Sequence, residues 1–168
     1  VLINAKKMIE IGEEAGQEHH VGVAKILMAH NYALLADWWG DVPFTEALQR
    51  ENNGRPIFDQ QELVYEGIQT LLDEGIAALE KESPISIGGG DLFYGGDVDA
   101  WVRFAYSLKA RYYLHLTNAP GQDADNLATL ALSAIDKGMT SAGDEAKFAY
   151  TSDPGQESPW NQWATKFA

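Results

Sequence analysis

The sequence predicts an all-α protein made of paired antiparallel helices, a tetratricopeptide-like arrangement with long irregular loops. Two observations carry this prediction. Apolar residues recur with the period of about 3.6 residues that an α-helix requires, over most of the 168 residues. The segments that have this period end at glycine or proline, where a helix stops. No strict sequence repeat is visible, because loop insertions interrupt it.

The first two helices are expected at residues 1–11 and 19–39. The first is amphipathic. The second is apolar around nearly its whole circumference, which indicates packing on several sides, and it places Trp38 in the core. Gly40, in a left-handed conformation, and Pro43 are expected to end this helix.

The third helix, residues 59–82, has the clearest apolar stripe. Asp59 is predicted to be its N-cap, and Glu62 would complete a capping box. Gly67 and Gly75 lie near the stripe. Because each glycine lowers helix stability by about 1 kcal/mol relative to alanine, we expect both to permit a close helix approach.

Two further helices are expected at residues 98–117 and 123–138. Trp101 lies on the apolar stripe of the first, and Asp97 or Asp99 can cap that helix. The connections 40–58 and 83–97 are long, and loops of this length in a helical protein are often functional.

The last part of the chain, residues 139–168, is predicted to be irregular, with a short strand at Phe148–Thr151. The chain has 12 Lys and Arg against 25 Asp and Glu, which gives 12 − 25 = −13. This charge argues against binding to nucleic acid or to an anionic membrane surface. The lack of cysteine excludes disulfides, thiolate metal sites and a cysteine nucleophile.

Several patterns that suggest chemistry do not meet their requirements. The glycine-rich stretch 88–97 has Asp97 where a phosphate-binding loop needs lysine, so we interpret it as a turn. Asp91, Asp97 and Asp99 lack the spacing of a calcium loop, and neither a metal nor a cofactor is expected. Pairs such as Asp73 and Glu74 lie on the solvent side of their helix.

Aromatic residues in loop-like sequence remain as the best candidates for ligand contacts. Tyr94, Trp160 and Trp163 can present flat rings, and a ring that stacks on a sugar face is a common way to hold carbohydrate. Asn161, with Gln162 beside it, can supply hydrogen bonds. The alternative is that these rings pack the loops onto the core.

Three segments resemble the motifs of a known family. Residues 31–44 (NYALLADWWGDVPF) look like its hallmark, in which an apolar helix leads into an aromatic residue and then Gly-Asp-Val-Pro. Residues 101–111 (WVRFAYSLKAR), preceded by 94–97 (YGGD), resemble its W-x-x-F-A-x-S-L-x-x-R helix, and 158–163 (SPWNQW) is a weaker match to its N-P-W stretch. On these motifs the sequence is identified as a member of the SusD/RagB family of outer-membrane nutrient-binding lipoproteins.

This resemblance implies a noncatalytic binder with an α–α superhelix. It implies a lipid-anchored protein on the outer-membrane surface that captures oligosaccharides or polysaccharides and delivers them to a TonB-dependent transporter. It also implies that residues 1–168 are a fragment of one helical-repeat domain, with the anchoring cysteine and parts on both sides outside this chain. Within the second motif, Ser107 is expected to bond a backbone carbonyl and Arg111 a buried carboxylate.

Two other functions remain open from the residues. Helix pairs with long loops are also typical of an interaction module that binds a partner protein and no small ligand. The many carboxylates permit a glycoside hydrolase, although the required pairing of two carboxylates is spatial and is not visible in a sequence.

Overall fold

The computed structural model describes residues 1–49, 53–151, 153 and 157–167. The regular structure of these residues is helical, and a single β-bridge within them joins Val42 to Asp59. Their α-helices are α1 (Leu2–Ala15), α2 (Glu18–Trp39), α3 (Gln61–Leu79), α4 (Val98–His115), α5 (Ala124–Ile135) and α6 (Pro159–Phe167). The prediction of an all-α protein is confirmed.

Helices α1 and α2 form an antiparallel hairpin that turns at Gly16. This glycine has φ 65°, in the left-handed region where a side chain would be strained, and its N–H donates to Glu13 O. Lys25 of α2 lies 3.6 Å from the Glu13 carboxylate of α1. Both helices lie where the sequence predicts them, with α1 extending further, to Ala15.

Helices α2 and α3 pack antiparallel through a pair of glycines. A Cβ atom on Gly22 would lie 2.8 Å from the carbonyl oxygen of Gly75, and one on Gly75 would lie 2.9 Å from Ile26 Cγ1. The expected close approach is therefore confirmed at Gly75. Gly67 is used differently, because the ring of Phe44 from the α2–α3 connection fills the space that its Cβ would need.

The prediction that Asp59 caps α3 is wrong. Asp59 is 5% exposed and accepts hydrogen bonds from the Phe44 and Thr45 amides and from Thr45 Oγ1. The Thr45 amide is the largest cause that holds its pKa below the ordinary value, against the opposing effect of burial. The first N–H of α3, that of Gln61, donates instead to Asp41 Oδ1 at 2.9 Å.

The sequence could not separate these two uses of Asp59, because an N-cap and a loop anchor both need a small acceptor beside a helix start. The predicted capping box is also absent, since Glu62 accepts from the Gln122 side chain at 2.7 Å. This contact joins the start of α3 to the turn that follows α4.

A chain of polar groups joins α2, α3 and α4. The Tyr65 hydroxyl donates to Asp37 Oδ1, and His115 Nδ1 lies 3.2 Å from the same oxygen. His30 Nδ1 and the Tyr112 hydroxyl are 2.6 Å apart. Burial, first among several causes, raises the pKa of Tyr65 above its ordinary value, so its hydroxyl stays protonated and donates.

Helix α4 forms much of the core, as predicted, with Trp101 only 2% exposed. Asp97 caps the helix by accepting from the Ala100 amide at 2.9 Å, and Ser107 Oγ donates to the Arg103 carbonyl at 3.0 Å. Both expectations are confirmed.

The expected pairing of Arg111 with a buried carboxylate is wrong for the described residues. Arg111 is exposed, and no ion pair to it occurs among them. Lys109, two residues earlier, is 7% exposed and donates to Asp73 Oδ1 at 2.7 Å. The difference arises because the two side chains lie about 200° apart around the helix, and only that of Lys109 faces α3.

The C-terminal part differs from the prediction in two ways. Residues 148–151 have no regular secondary structure, so the predicted strand is wrong. Residues predicted to be irregular form α6 instead. Ser158 Oγ accepts from the Asn161 amide at 3.2 Å, and Pro159 is the first helical residue, which together make a short but regular helix start.

The core position predicted for Trp38 is also wrong, since this side chain is 77% exposed. It lies beside Trp39, with ring centroids 6.1 Å apart, at a groove of about 720 Å³ between α1 and the end of α2. An apolar position on a helix that is apolar all round need not have a neighbour. Gly40 has φ 72° and ψ −112°, so its φ is positive but its conformation is not the left-handed helical one predicted.

Candidate functional site

The glycine-rich α3–α4 connection is organised by one carboxylate. Asp91 Oδ1 accepts from the Phe93 and Tyr94 amides, and Oδ2 accepts from the Gly96 amide and, at 2.7 Å, from Trp101 Nε1. Partial burial raises the pKa of Asp91, but the four hydrogen bonds, that of the Trp101 indole first, together lower it by more. The pKa therefore lies below its ordinary value. Asp91 is thus a charged anchor that ties the loop to the core.

Tyr94 is the first of the predicted ligand contacts, and it lies half-buried at the inner side of this loop. Its hydroxyl donates to the Asp144 carbonyl at 3.0 Å, and its ring meets Trp101 edge to face at 5.3 Å. Burial, chiefly, raises the pKa of Tyr94 to about 12, which keeps the hydroxyl protonated and able to donate.

The segment after α5 is fastened to α4 at the same place. Arg103 Nε donates to Asp144 Oδ1 at 3.0 Å, and Ser107 Oγ accepts from the Met139 amide at 2.8 Å. A Cβ on Gly138 would lie 2.6 Å from Ser107 Oγ, so the chain passes α4 at close range. These contacts fix the direction in which the chain leaves toward residue 148.

A row of exposed aromatic rings follows from this attachment. The Phe93 ring contacts Trp101 on its inner side and Phe148 on its outer side, with centroids 6.1 and 6.0 Å away. Phe148 then contacts Tyr150 at 4.8 Å. Phe93, Phe148 and Tyr150 are 40, 41 and 52% exposed, so their faces are available to a ligand.

An open cleft of about 650 Å³ lies between this row and the start of α6. We call it the aromatic cleft. The residues that line it are Leu92, Phe148, Ala149, Tyr150, Glu157, Pro159 and Gln162. Its volume and its mostly apolar wall with a few polar groups are typical of sites that bind small molecules.

The other predicted contacts, Trp160, Asn161 and Trp163, lie on α6, whose Pro159 and Gln162 line the aromatic cleft. Both tryptophans are largely exposed, at 82 and 64%. Successive helical residues are rotated by about 100°, so Trp163 lies next to the side of Pro159 that faces the cleft. Trp160 and Asn161 are turned further from it.

The structure thus brings three of the four predicted residues together on one short helix and places Tyr94 apart from them. Among the described residues, the ring contacts of Tyr94 are with Trp101 and Phe104. Sequence reasoning missed Phe93, Phe148 and Tyr150. The alternation of Phe148 and Tyr150 was a signal, because extended backbone places alternate side chains on one side.

Other chemistries find little support in the described part of the chain. It contains no group of three or more His, Asp or Glu residues that could hold a metal ion. The acidic pair on α3 is engaged with lysines, Asp73 with Lys109 and Glu74 with Lys25 at 2.9 Å. None of the helices found there is long and apolar enough to cross a membrane.

The comparisons with known proteins agree with the sequence motifs. Residues 1–168 match the model of a SusD-like family described as starch-binding and associating with the outer membrane. A search of curated proteins finds no significant match. The resemblance to the SusD/RagB family is therefore confirmed by the family model.

Solved structures resemble this one closely. A SusD/RagB family protein from Bacteroides thetaiotaomicron is 36% identical with a TM-score of 0.83, and the match covers 90% of this chain and 32% of that protein. A SusD-like protein from Bacteroidetes is 30% identical with a TM-score of 0.75, covering 89% and 27%. A chitin-binding protein is 28% identical with a TM-score of 0.73, covering 86% and 31%. The chain thus spans about a third of the length of these relatives.

Proposed function

Because the chain belongs to the SusD-like family, whose members associate with the outer membrane, we propose that it binds oligosaccharides or polysaccharides without catalysis. The glycan is held at the aromatic cleft and along the exposed face of α6. Starch is named in the family description, and chitin in the name of one structural relative. Both are uncharged glycans, and this supports the same ligand class here.

The observation that carries this proposal is the grouping of exposed rings around one open cleft. Phe148 and Tyr150 line the cleft, and Trp160 and Trp163 are exposed on α6, the helix whose Pro159 and Gln162 also line it. Aromatic faces stack on the apolar faces of sugar rings, which removes apolar area from water at little cost in side-chain freedom. Rings exposed in this way offer the faces that a glycan needs.

Polar groups at the cleft complete the site. The Gln162 Nε2 donates to the Glu157 carbonyl at 3.0 Å, which leaves the amide oxygen of Gln162 facing other partners. The Glu157 carboxylate adds a hydrogen-bond acceptor, and the Tyr150 hydroxyl adds a group that can both donate and accept. Sugar hydroxyls donate and accept, so they match this set. Asn161, further along α6, is available for an extended chain.

We further propose that the larger polypeptide, of which residues 1–168 are a part, is a lipoprotein that passes glycans to a TonB-dependent barrel transporter. The resemblance to SusD/RagB lipoproteins supports this, as does the coverage of only 32% of a related structure. The lipid anchor then lies outside this chain, and the glycan site draws on further loops of the larger polypeptide.

The test is calorimetric titration of the full gene product against a panel of hexose glycans that includes starch, chitin, cellulose, mannan and galactan fragments. We expect saturable binding to at least one of them, with no sugar released during long incubation. Binding to peptides and to none of the glycans would contradict the proposal. Release of reducing sugar would favour the glycoside hydrolase instead.

A second function, docking of a partner protein, is favoured by one observation. The groove beside Trp38 and Trp39 is lined almost wholly by apolar side chains, and both rings are more than half exposed. Tryptophan is among the residues that are enriched at the binding hot spots of protein interfaces. A pull-down with the outer-membrane transporter that is lost in Trp39→Ala, with no glycan bound by any form of the protein, would favour this function over the first.

A further inference from the structure

We propose, on the premise that the aromatic cleft binds a glycan, that the cleft selects against anionic glycans and that the Glu157 carboxylate sets this selection. The preferred ligands are then polymers of uncharged sugars. Polymers that carry uronate or sulfate groups bind weakly even when their backbone is the same.

Among the described residues that line the cleft, Glu157 is the one that is charged at neutral pH. The other lining residues are Leu92, Phe148, Ala149, Tyr150, Pro159 and Gln162. Glu157 forms no ion pair within the described part of the chain, so its negative charge is not cancelled by a neighbour there.

The backbone of Glu157 is held in place. Its carbonyl oxygen accepts from Gln162 Nε2 at 3.0 Å, one turn into α6. This bond ties the residue to the start of the helix that forms the cleft wall. The backbone that carries the carboxylate is therefore tied to the cleft wall.

The described cations near the row of aromatic rings are already paired. Lys147, which precedes Phe148, lies 3.1 Å from the Glu145 carboxylate, and Arg103 lies 3.0 Å from Asp144. Over residues 144–168 the sequence has four acids and two lysines, and the chain as a whole carries −13. The local and the overall charge thus have the same sign.

A carboxylate or sulfate on the ligand meets this charge across an apolar wall. Apolar surroundings screen charge less than water does, so a like charge at contact distance is repelled strongly. A sugar hydroxyl in the same position donates a hydrogen bond to Glu157 instead. The same carboxylate accordingly attracts a neutral ligand and repels an anionic one.

The experiment uses the neutral hexose oligosaccharide that binds most tightly in the panel, and the same oligosaccharide after oxidation of its C6 hydroxyls to carboxylates. Both are titrated into the full gene product, its Glu157→Gln variant and its Glu80→Gln variant. Glu80→Gln changes the net charge equally, at an exposed position outside the cleft wall.

We expect the oxidised form to bind at least about tenfold more weakly than the neutral form at low ionic strength, with a smaller ratio in high salt. In Glu157→Gln the ratio falls to about threefold or less, whereas Glu80→Gln keeps the original ratio. Equal affinity for both forms in the unmodified protein, or an unchanged ratio in Glu157→Gln, would overturn the inference and leave glycan binding intact. Failure of every neutral glycan to bind would overturn the proposed function itself.

Discussion

Two aspartates shape the two long connections of this protein. Asp59 gathers three donors from Phe44 and Thr45, and Asp91 gathers three amides and the Trp101 indole. Each carboxylate accepts hydrogen bonds from loop N–H groups that would otherwise bond to water. From the sequence, Asp59 was predicted to cap α3, and Asp91 was considered only as a calcium ligand and rejected on its spacing. A carboxylate that serves several N–H groups at once is recognisable only when the backbone around it is known.

Acid should weaken the fold through Asp59. Folding lowers the pKa of Asp59 below the ordinary 3.8. The ionised carboxylate therefore stabilises the fold fully above about pH 4, and this stabilisation is lost as pH falls through the lowered pKa. Asp59→Asn should reduce the free energy of unfolding by about 2 kcal/mol at pH 7, since charged hydrogen bonds are replaced. In urea unfolding, the difference in free energy of unfolding between Asp59→Asn and wild type should be smaller at pH 3 than at pH 7.

Asp136→Asn is the matched control for this measurement, because Asp136 is exposed at the end of α5. Its effect should stay within about 0.5 kcal/mol at both pH values. A destabilisation by Asp59→Asn that is the same at pH 7 and pH 3 would show that the charge of Asp59 is not what stabilises the fold.

The long helices α2, α3 and α4 were predictable because each has many turns of consistent apolar spacing. Of the two glycines predicted to permit a close helix approach, Gly75 does so and Gly67 faces the ring of Phe44. Helix α6 was not predicted because nine residues give too few turns to establish a helical period. The exposure of Trp38 could not be predicted from the sequence either. Periodicity shows which side of a helix is apolar, whereas exposure depends on which neighbours arrive.

Gly22→Ala tests the contact between α2 and α3. The added methyl would lie 2.7 Å from Leu79 Cγ and 2.8 Å from the Gly75 carbonyl oxygen, and the backbone oxygen cannot move aside without shifting a helix. Overpacking of this kind costs about 1–3 kcal/mol, which exceeds the gain in helix propensity of about 1 kcal/mol. We expect a net loss of stability in chemical unfolding.

Gly89→Ala is the control, because a Cβ there meets nothing within 4 Å. It should change the free energy of unfolding by less than about 0.5 kcal/mol. If Gly22→Ala were as stable as wild type, the helices would not be as close as their glycines indicate.

At the scale of the whole molecule, the aromatic cleft joins segments that are far apart in sequence. The glycine-rich loop supplies Leu92, and its Phe93 packs against Phe148. The segment after α5 supplies Phe148 and Tyr150. The sequence indicated aromatic stacking by Trp160 and Trp163 in a segment predicted to be irregular, but it could not show that the segment forms a helix or which loop would face it. That pairing depends on the bonds of Tyr94 and Arg103 to Asp144, which are contacts between distant residues.

The most direct test of the account is calorimetric titration of the tightest-binding neutral glycan into two variants of the full gene product. Replacement of both Trp160 and Trp163 by alanine should lower affinity at least about tenfold, because stacked aromatic anchors dominate such contacts. Trp38→Ala removes a similarly exposed ring from the groove between α1 and the end of α2 and should leave affinity unchanged. Full affinity in the double variant, or a loss confined to Trp38→Ala, would contradict the placement of the glycan at α6 and the aromatic cleft.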